Sequence, residues 1–171
     1  MEQLKKQVCD YIESHEEESV KFLKRLIQEK SVSGDESGAQ AIVIEKLREL
    51  GLELDIWEPS FSKMKDHPYF VSPRTSFSDS PNIVATLKGS GDGKSMILNG
   101  HIDVVPEGDV NQWEHHPYSG EKIGNRIYGR GTTDMKGGNV ALMLAMEAII
   151  ESNIELKGDI YFQSVIEEES G

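Results

Sequence analysis

The stretch from Gly138 to Ser152 constrains the fold more than any other part of this chain. Val140, Leu142, Met143, Leu144, Met146, Ile149 and Ile150 leave a helix there apolar on most of its faces. Such a helix has to be buried between other layers. Asp159 to Ile166 follows as a strand, with Ile160, Phe162 and Ser164 alternating against Tyr161, Gln163 and Val165. Ile127-Tyr128 reads as a short strand ahead of the helix. Strand, helix and strand in that order imply a parallel crossover, and so an α/β fold. The expected architecture is a mixed, largely parallel sheet flanked by helices.

The rest of the chain fits around that unit. Leu4, Val8, Tyr11 and Ile12, then Val20, Leu23 and Ile27, recur at helical spacing and predict two helices in the first thirty residues. Ala41, Ile44, Leu47 and Leu50 predict a third over Ser37 to Leu50, stopped by Gly51. Leu52, Leu54 and Ile56 alternate with acidic residues as a half-buried strand does. From Pro59 to Pro81 periodicity is lost and an irregular excursion is expected. Ile83–Leu87 and Met96–Leu98, joined by Gly89-Ser90-Gly91-Asp92-Gly93, read as a hairpin. There is no internal repeat.

Composition narrows the partners. With 18 Lys+Arg against 30 Asp+Glu the net charge is -12, which disfavours nucleic acid and anionic lipid. The longest apolar run, Ala141 to Ile150, is broken by Glu147 and too short to span a bilayer. Cys9 is the single cysteine, so no intrachain disulfide can form. The first residues lack the apolar core of a secretory signal, and a cytoplasmic location is expected.

Three short clusters carry candidate chemistry. In Asn99-Gly100-His101-Ile102-Asp103-Val104-Val105-Pro106, His101 and Asp103 share one face of an extended backbone. A metal-binding histidine needs an acceptor on its second ring nitrogen, which Asp103 could supply or support less directly. Gly129-Arg130-Gly131-Thr132-Thr133-Asp134-Met135-Lys136-Gly137-Gly138 holds Asp134 in a glycine-rich turn just ahead of the buried helix. A carboxylate fixed there can bridge two cations. Glu167-Glu168-Glu169 closes the last strand, where an α/β sheet binds its ligands, and three adjacent carboxylates are costly without a cation. Taken singly, these clusters read as a polar strand end, a helix cap and a solvated acidic loop. Taken together, His101, Asp134 and Glu169 each fall at the edge of an element. One nitrogen and two oxygen ligands suit Zn²⁺ or Co²⁺ better than Mg²⁺ or Ca²⁺.

With these boxes in place, the chain resembles the metallopeptidase and deacylase family that includes acetylornithine deacetylase, succinyl-diaminopimelate desuccinylase, aminoacylase and glutamate carboxypeptidase. His101 to Pro106 and Gly129 to Gly138 match that family's first two boxes in full. The third box begins with Glu167 where Asp is common and stops after one glycine. The resemblance implies that His101 binds one metal, Asp134 bridges two and Glu169 binds the second. It further implies that Glu168 is the general base and that Asp103 supports the histidine. Two Zn²⁺ or Co²⁺ ions, a small N-acyl amino acid or peptide substrate, and acetylornithine as the leading candidate follow from it.

The resemblance also implies that residues 1–171 are the N-terminal portion of a catalytic domain. A further carboxylate ligand, a further histidine ligand, and a lid domain that mediates homodimerisation would lie later in the chain. The piece alone is then expected to be inactive, to bind one metal weakly or none, and to expose apolar surface.

Two rival readings are weaker. Gly89 to Ser95 ends like a nucleotide-binding loop, but Lys88 stands where the first glycine should be and a strand, not a helix, follows. A non-catalytic relative that binds an amino acid or a partner would have no need of Glu168. His115-His116 reads as a loop beside the site, His15 and His67 as surface residues, Cys9 as a small packing residue, and Lys136 as structural.

Overall fold

A computed structural model describes residues 2–170. Helices α1 (Glu2–Ser14) and α2 (Glu16–Gln28) meet at His15, whose ring stacks on Tyr11 at 3.9 Å between centroids. Next come α3 (Ser37–Glu49), strand β1 (Glu53–Trp57), the single turn α4 (Phe61–Met64), β2 (Asn82–Leu87) and β3 (Met96–His101). A small antiparallel pair, β4 (Glu121–Ile123) and β5 (Arg126–Tyr128), precedes α5 (Gly137–Glu151) and β6 (Ile160–Val165).

The main sheet has the order β1-β2-β6-β3. It is mixed: β1 with β2 and β2 with β6 run antiparallel, and β3 with β6 run parallel. The expected α/β fold with helices flanking a mixed sheet is therefore present, but the sheet is not largely parallel: among the described residues only the β3–β6 ladder is parallel, because β1 and β2 add to it in the opposite sense. The parallel crossover starts from β3, not from the Ile127-Tyr128 strand, which pairs locally outside the main sheet.

The expected hairpin between β2 and β3 does not form, because β6 lies between them. The glycine-rich turn joining them wraps around the start of β6 instead. The N–H groups of Ser90, Gly91 and Gly93 donate to the carbonyls of Leu156 and Lys157. Gly93 lies so close to the backbone of Lys157 and Gly158 that a Cβ would collide with it. These three amides are thus spent on the chain itself and do not point at a ligand.

One core lies between the sheet and the helices. Ile83, Ala85 and Phe162 from the strands meet Leu26, Val43, Leu47, Met143 and Met146 from α2, α3 and α5, all buried. Each large apolar side chain enclosed in this way contributes about 1.5–3 kcal/mol. Gln40 of α3 crosses the core to Ser164 of β6, donating to its carbonyl at 3.1 Å and accepting from its hydroxyl at 2.8 Å. Met96 and Ile97 on the edge strand β3 are exposed, at 56% and 61%. Cys9 on α1 is exposed too, against the expectation of a packing role. No helix among the described residues is long and apolar enough to cross a membrane.

Candidate metal centre

Parallel pairing of β3 with β6 puts the C-terminal ends of both strands on one edge of the sheet, with His101 opposite Val165. A helix that links two parallel strands runs back against them, so α5 begins at that same edge. Three sequence-remote clusters thereby converge: His101 ends β3, Asp134 precedes α5, and Glu168 and Glu169 follow β6.

His101 is buried, with 5% of its side chain exposed, and Nδ1 lies 2.9 Å from the carbonyl oxygen of Asp103. That oxygen can only accept, so Nδ1 donates to it, which leaves Nε2 as the ring nitrogen that a cation would take in place of a proton. Nε2 faces Asp134 Oδ1 at 3.0 Å and Glu168 Oε2 at 3.7 Å. The Asp103 carboxylate does something different from holding the ring. Its Oδ1 stands 3.7 Å from Nδ1, too long for a hydrogen bond, while Oδ2 accepts the backbone N–H of Glu169 at 2.9 Å. Asp103 thus reaches the histidine through its backbone and the acidic turn through its side chain.

Two local features make the approach possible. A Cβ on Gly100 would strike Asn139 Oδ1, and Asn139 Nδ2 donates to the carbonyl of His101 at 2.6 Å. Only glycine lets α5 come this near to β3. Gly131 sits at φ +80, a conformation that favours glycine, and the N–H of Lys136 closes the turn onto its carbonyl at 2.9 Å. Within that turn Asp134 is extended, at φ -126 and ψ 102, and its peptide bond to Met135 is cis.

Like charges crowd this edge. Burial raises the Asp103 carboxyl above its ordinary range. Burial, followed by the proximity of Asp134, raises that of Glu169. His101 is also raised: burial opposes its charge, but the Asp103 carbonyl and the facing carboxylates outweigh it. Carboxylates held together against their own repulsion, around an imidazole, are a setting that a cation relieves. One ligand atom from each of His101, Asp134 and Glu169 lies within 4.8 Å of the others. Two donors tetrahedrally placed at zinc distances are about 3.3 Å apart, so the 3.0 Å between His101 and Asp134 fits such an ion. A cleft of about 230 Å³, lined by Val105, Gly129 to Asp134 and Glu169, opens beside them.

Other sequence candidates are placed elsewhere. Glu167 is turned away from the cleft: Arg74 Nη1 donates to it at 2.8 Å, and the hydroxyls of Ser33 and Ser72 donate as well. That anchorage was not readable in the sequence, since Arg74 stands in an aperiodic segment. Burial pushes the Lys136 ammonium down to about 8, a shift that often marks a catalytic lysine. Its Nζ, however, donates to the carbonyls of Leu26 and Glu29 at 2.7 and 2.8 Å, so it serves structure. His115 bonds Glu121 at 3.0 Å, and His67 is exposed. His15, expected at the surface, is half-buried against Tyr11.

Residues 97–171, which hold the converging groups, match the family described as Peptidase family M20/M25/M40. A curated relative, the N-formyl-4-amino-5-aminomethyl-2-methylpyrimidine deformylase of Bacillus subtilis (strain 168), is 35% identical over 165 residues, covering 94% of this chain and 35% of the deformylase. The chain thus spans about a third of that relative's length. Human carnosine dipeptidase 1 has a similar structure, with a TM-score of 0.77 and 27% identity, over 97% of this chain and 35% of that one. An M20 family metallo-carboxypeptidase from Sulfolobus solfataricus shares the fold, with a TM-score of 0.71 and 22% identity, over 89% of this chain and 31% of that one. None of these three is an acetylornithine deacetylase. Over residues 97–171 the chain carries the sequence pattern of the M20/M25/M40 peptidases, on a fold shared with M20 peptidase catalytic domains.

Proposed function

We propose that this chain is the N-terminal part of the catalytic domain of a metal-dependent hydrolase that cleaves the C–N bond of a small amide. The observation that carries this reading is the convergence of His101 Nε2, Asp134 and Glu169, with the Glu168 carboxylate facing the same point. His101, Asp134 and Glu169 would hold the metal, and in a two-ion site Asp134 would be the carboxylate common to both. The donor set suits Zn²⁺ or Co²⁺. Bound there, such ions polarise a carbonyl and make water acidic enough to attack it near neutral pH.

The chain's own residues do the remaining work. Asp103 fixes the ring of His101 through its carbonyl and holds the acidic turn through its carboxylate. Glu168, 60% exposed and 3.7 Å from His101 Nε2, takes the proton of the attacking water and hands it to the leaving nitrogen as the C–N bond breaks. The products are a carboxylic acid and an amine.

The substrate class is an N-formyl or N-acyl amine, an N-acyl amino acid such as acetylornithine, or a dipeptide. Support comes from the deformylase and dipeptidase activities in the names of the relatives. A further carboxylate, a further histidine and a dimerising lid domain would come from chain beyond residue 171.

The test is amine release by the zinc-reconstituted full-length protein from formylated aminopyrimidines, acetylated and succinylated amino acids, and dipeptides. Hydrolysis of at least one class is expected, with none by Glu168→Gln or by residues 1–171 alone. Full activity of Glu168→Gln would overturn the reading.

A further inference from the structure

The acidic turn that carries Glu168 and Glu169 is held from two sides. Inside the site, Asp103 Oδ2 accepts the N–H of Glu169. Outside it, Glu167 is fixed by three donors reaching it from two loops: Ser33, Ser72 and Arg74. Glu167 has φ +69, a left-handed conformation that a glutamate adopts only when its surroundings enforce it.

Arg74 is the centre of that outer grip. With 14% of its side chain exposed, it shares Nη1 between Glu167 Oε1 at 2.8 Å and Glu36 Oε1 at 3.1 Å, and Nη2 donates to Ser80 Oγ at 2.7 Å. Glu36 is fully buried, and its Oε2 accepts from the same Ser80 hydroxyl at 2.6 Å. Its Oε1 also accepts the N–H of Gly34 at 2.9 Å. The Phe77 ring packs beneath the guanidinium, 4.8 Å from its centre. A buried carboxylate and a half-buried one therefore meet on one cation. Without it they would repel each other, and the more exposed partner, Glu167, would swing out and take its turn along.

We propose that Arg74 is a positioning residue of the hydrolase, acting through Glu167 to hold Glu168 and Glu169 beside His101 and Asp134. This inference rests on the function proposed above. A merely structural arginine would lower stability and leave the turnover of folded, zinc-loaded protein intact. A positioning arginine lowers kcat at nearly constant KM, and its effect disappears once Glu167 can no longer respond.

The experiment compares Arg74→Met, Glu167→Gln and the double variant in the zinc-loaded full-length protein, with Arg74→Lys as a milder variant. Amide hydrogen exchange at Glu169 is followed in each. Each single substitution is expected to lower kcat about 10- to 100-fold, as loss of outer support for a metal site does. The double variant should be no worse than the poorer single one, and Glu169 should exchange faster in Arg74→Met. Arg74→Lys keeps the charge but loses the fork, and should fall between wild type and Arg74→Met. Losses that multiply in the double variant, or unchanged exchange at Glu169, would overturn the proposal. Exchange at Glu169 is read without substrate, so it decides the role of Arg74 even if none of the amides is hydrolysed.

Discussion

The backbone N–H of Glu169 donates to Oδ2 of Asp103 at 2.9 Å, tying the turn after β6 to the loop after β3. Through this bond a residue with no exposed surface governs where two exposed or half-buried carboxylates stand. Asp103→Ala should therefore weaken metal binding by about 10- to 100-fold, although Asp103 is not among the converging ligands. A Co²⁺ titration followed by its visible absorption reads this directly, and an unchanged affinity would count against the role of the bond.

Glu168→Gln should separate binding from chemistry. Its carboxylate approaches His101 Nε2 no closer than 3.7 Å and is 60% exposed, so its loss should spare the metal. Turnover by the full-length protein should fall at least about 10²- to 10⁴-fold, the usual worth of a general base. Metal content per molecule, measured by elemental analysis, should stay near that of the wild type.

Lys136→Met should destabilise the fold rather than alter catalysis. A buried donation to Leu26 and a partly buried one to Glu29 disappear, and their carbonyls are left without these partners. The cost of such orphaned groups is about 1–3 kcal/mol, visible as a lower urea midpoint. Activity per folded molecule should change little.

Glu107 provides a pH-dependent contribution to stability. Its own backbone N–H, then the Tyr118 hydroxyl at 2.8 Å and Lys30 at 3.2 Å, hold its carboxyl down to about 2. A carboxyl depressed in the folded state stabilises above its unfolded value, near 4.5, and loses that contribution as pH falls toward 2. Wild type should exceed Glu107→Gln in urea midpoint at pH 7, and the gap should close between about pH 4.5 and 2.

Local patterns made much of this legible and left the rest hidden for identifiable reasons. The apolar faces of α5 and the alternation of β6 announced a buried helix and a half-buried strand. His101, Asp134 and Glu169 stood out because residue types able to bind a metal fell at the ends of elements. The β2–β3 hairpin was misread because Gly89 to Gly93 has all the local chemistry of a turn. Nothing nearby tells that a strand far along the chain inserts between the two. Arg74 was hidden for a similar reason: its partners Glu36 and Glu167 lie on either side of it in sequence, and their meeting is a property of packing. The bonds of Lys136 end on backbone carbonyls, which carry no residue-type signal.

The central claim is that an imidazole and two carboxylates from three separate segments form one metal centre. Anomalous diffraction at the zinc edge from crystals of the zinc-loaded full-length protein tests it most directly. A peak about 2.0–2.2 Å from His101 Nε2 and from an oxygen of Asp134, with Glu169 on it or on a second ion sharing Asp134, is the predicted result. Zinc held by other residues, with these three side chains left empty, would contradict the account.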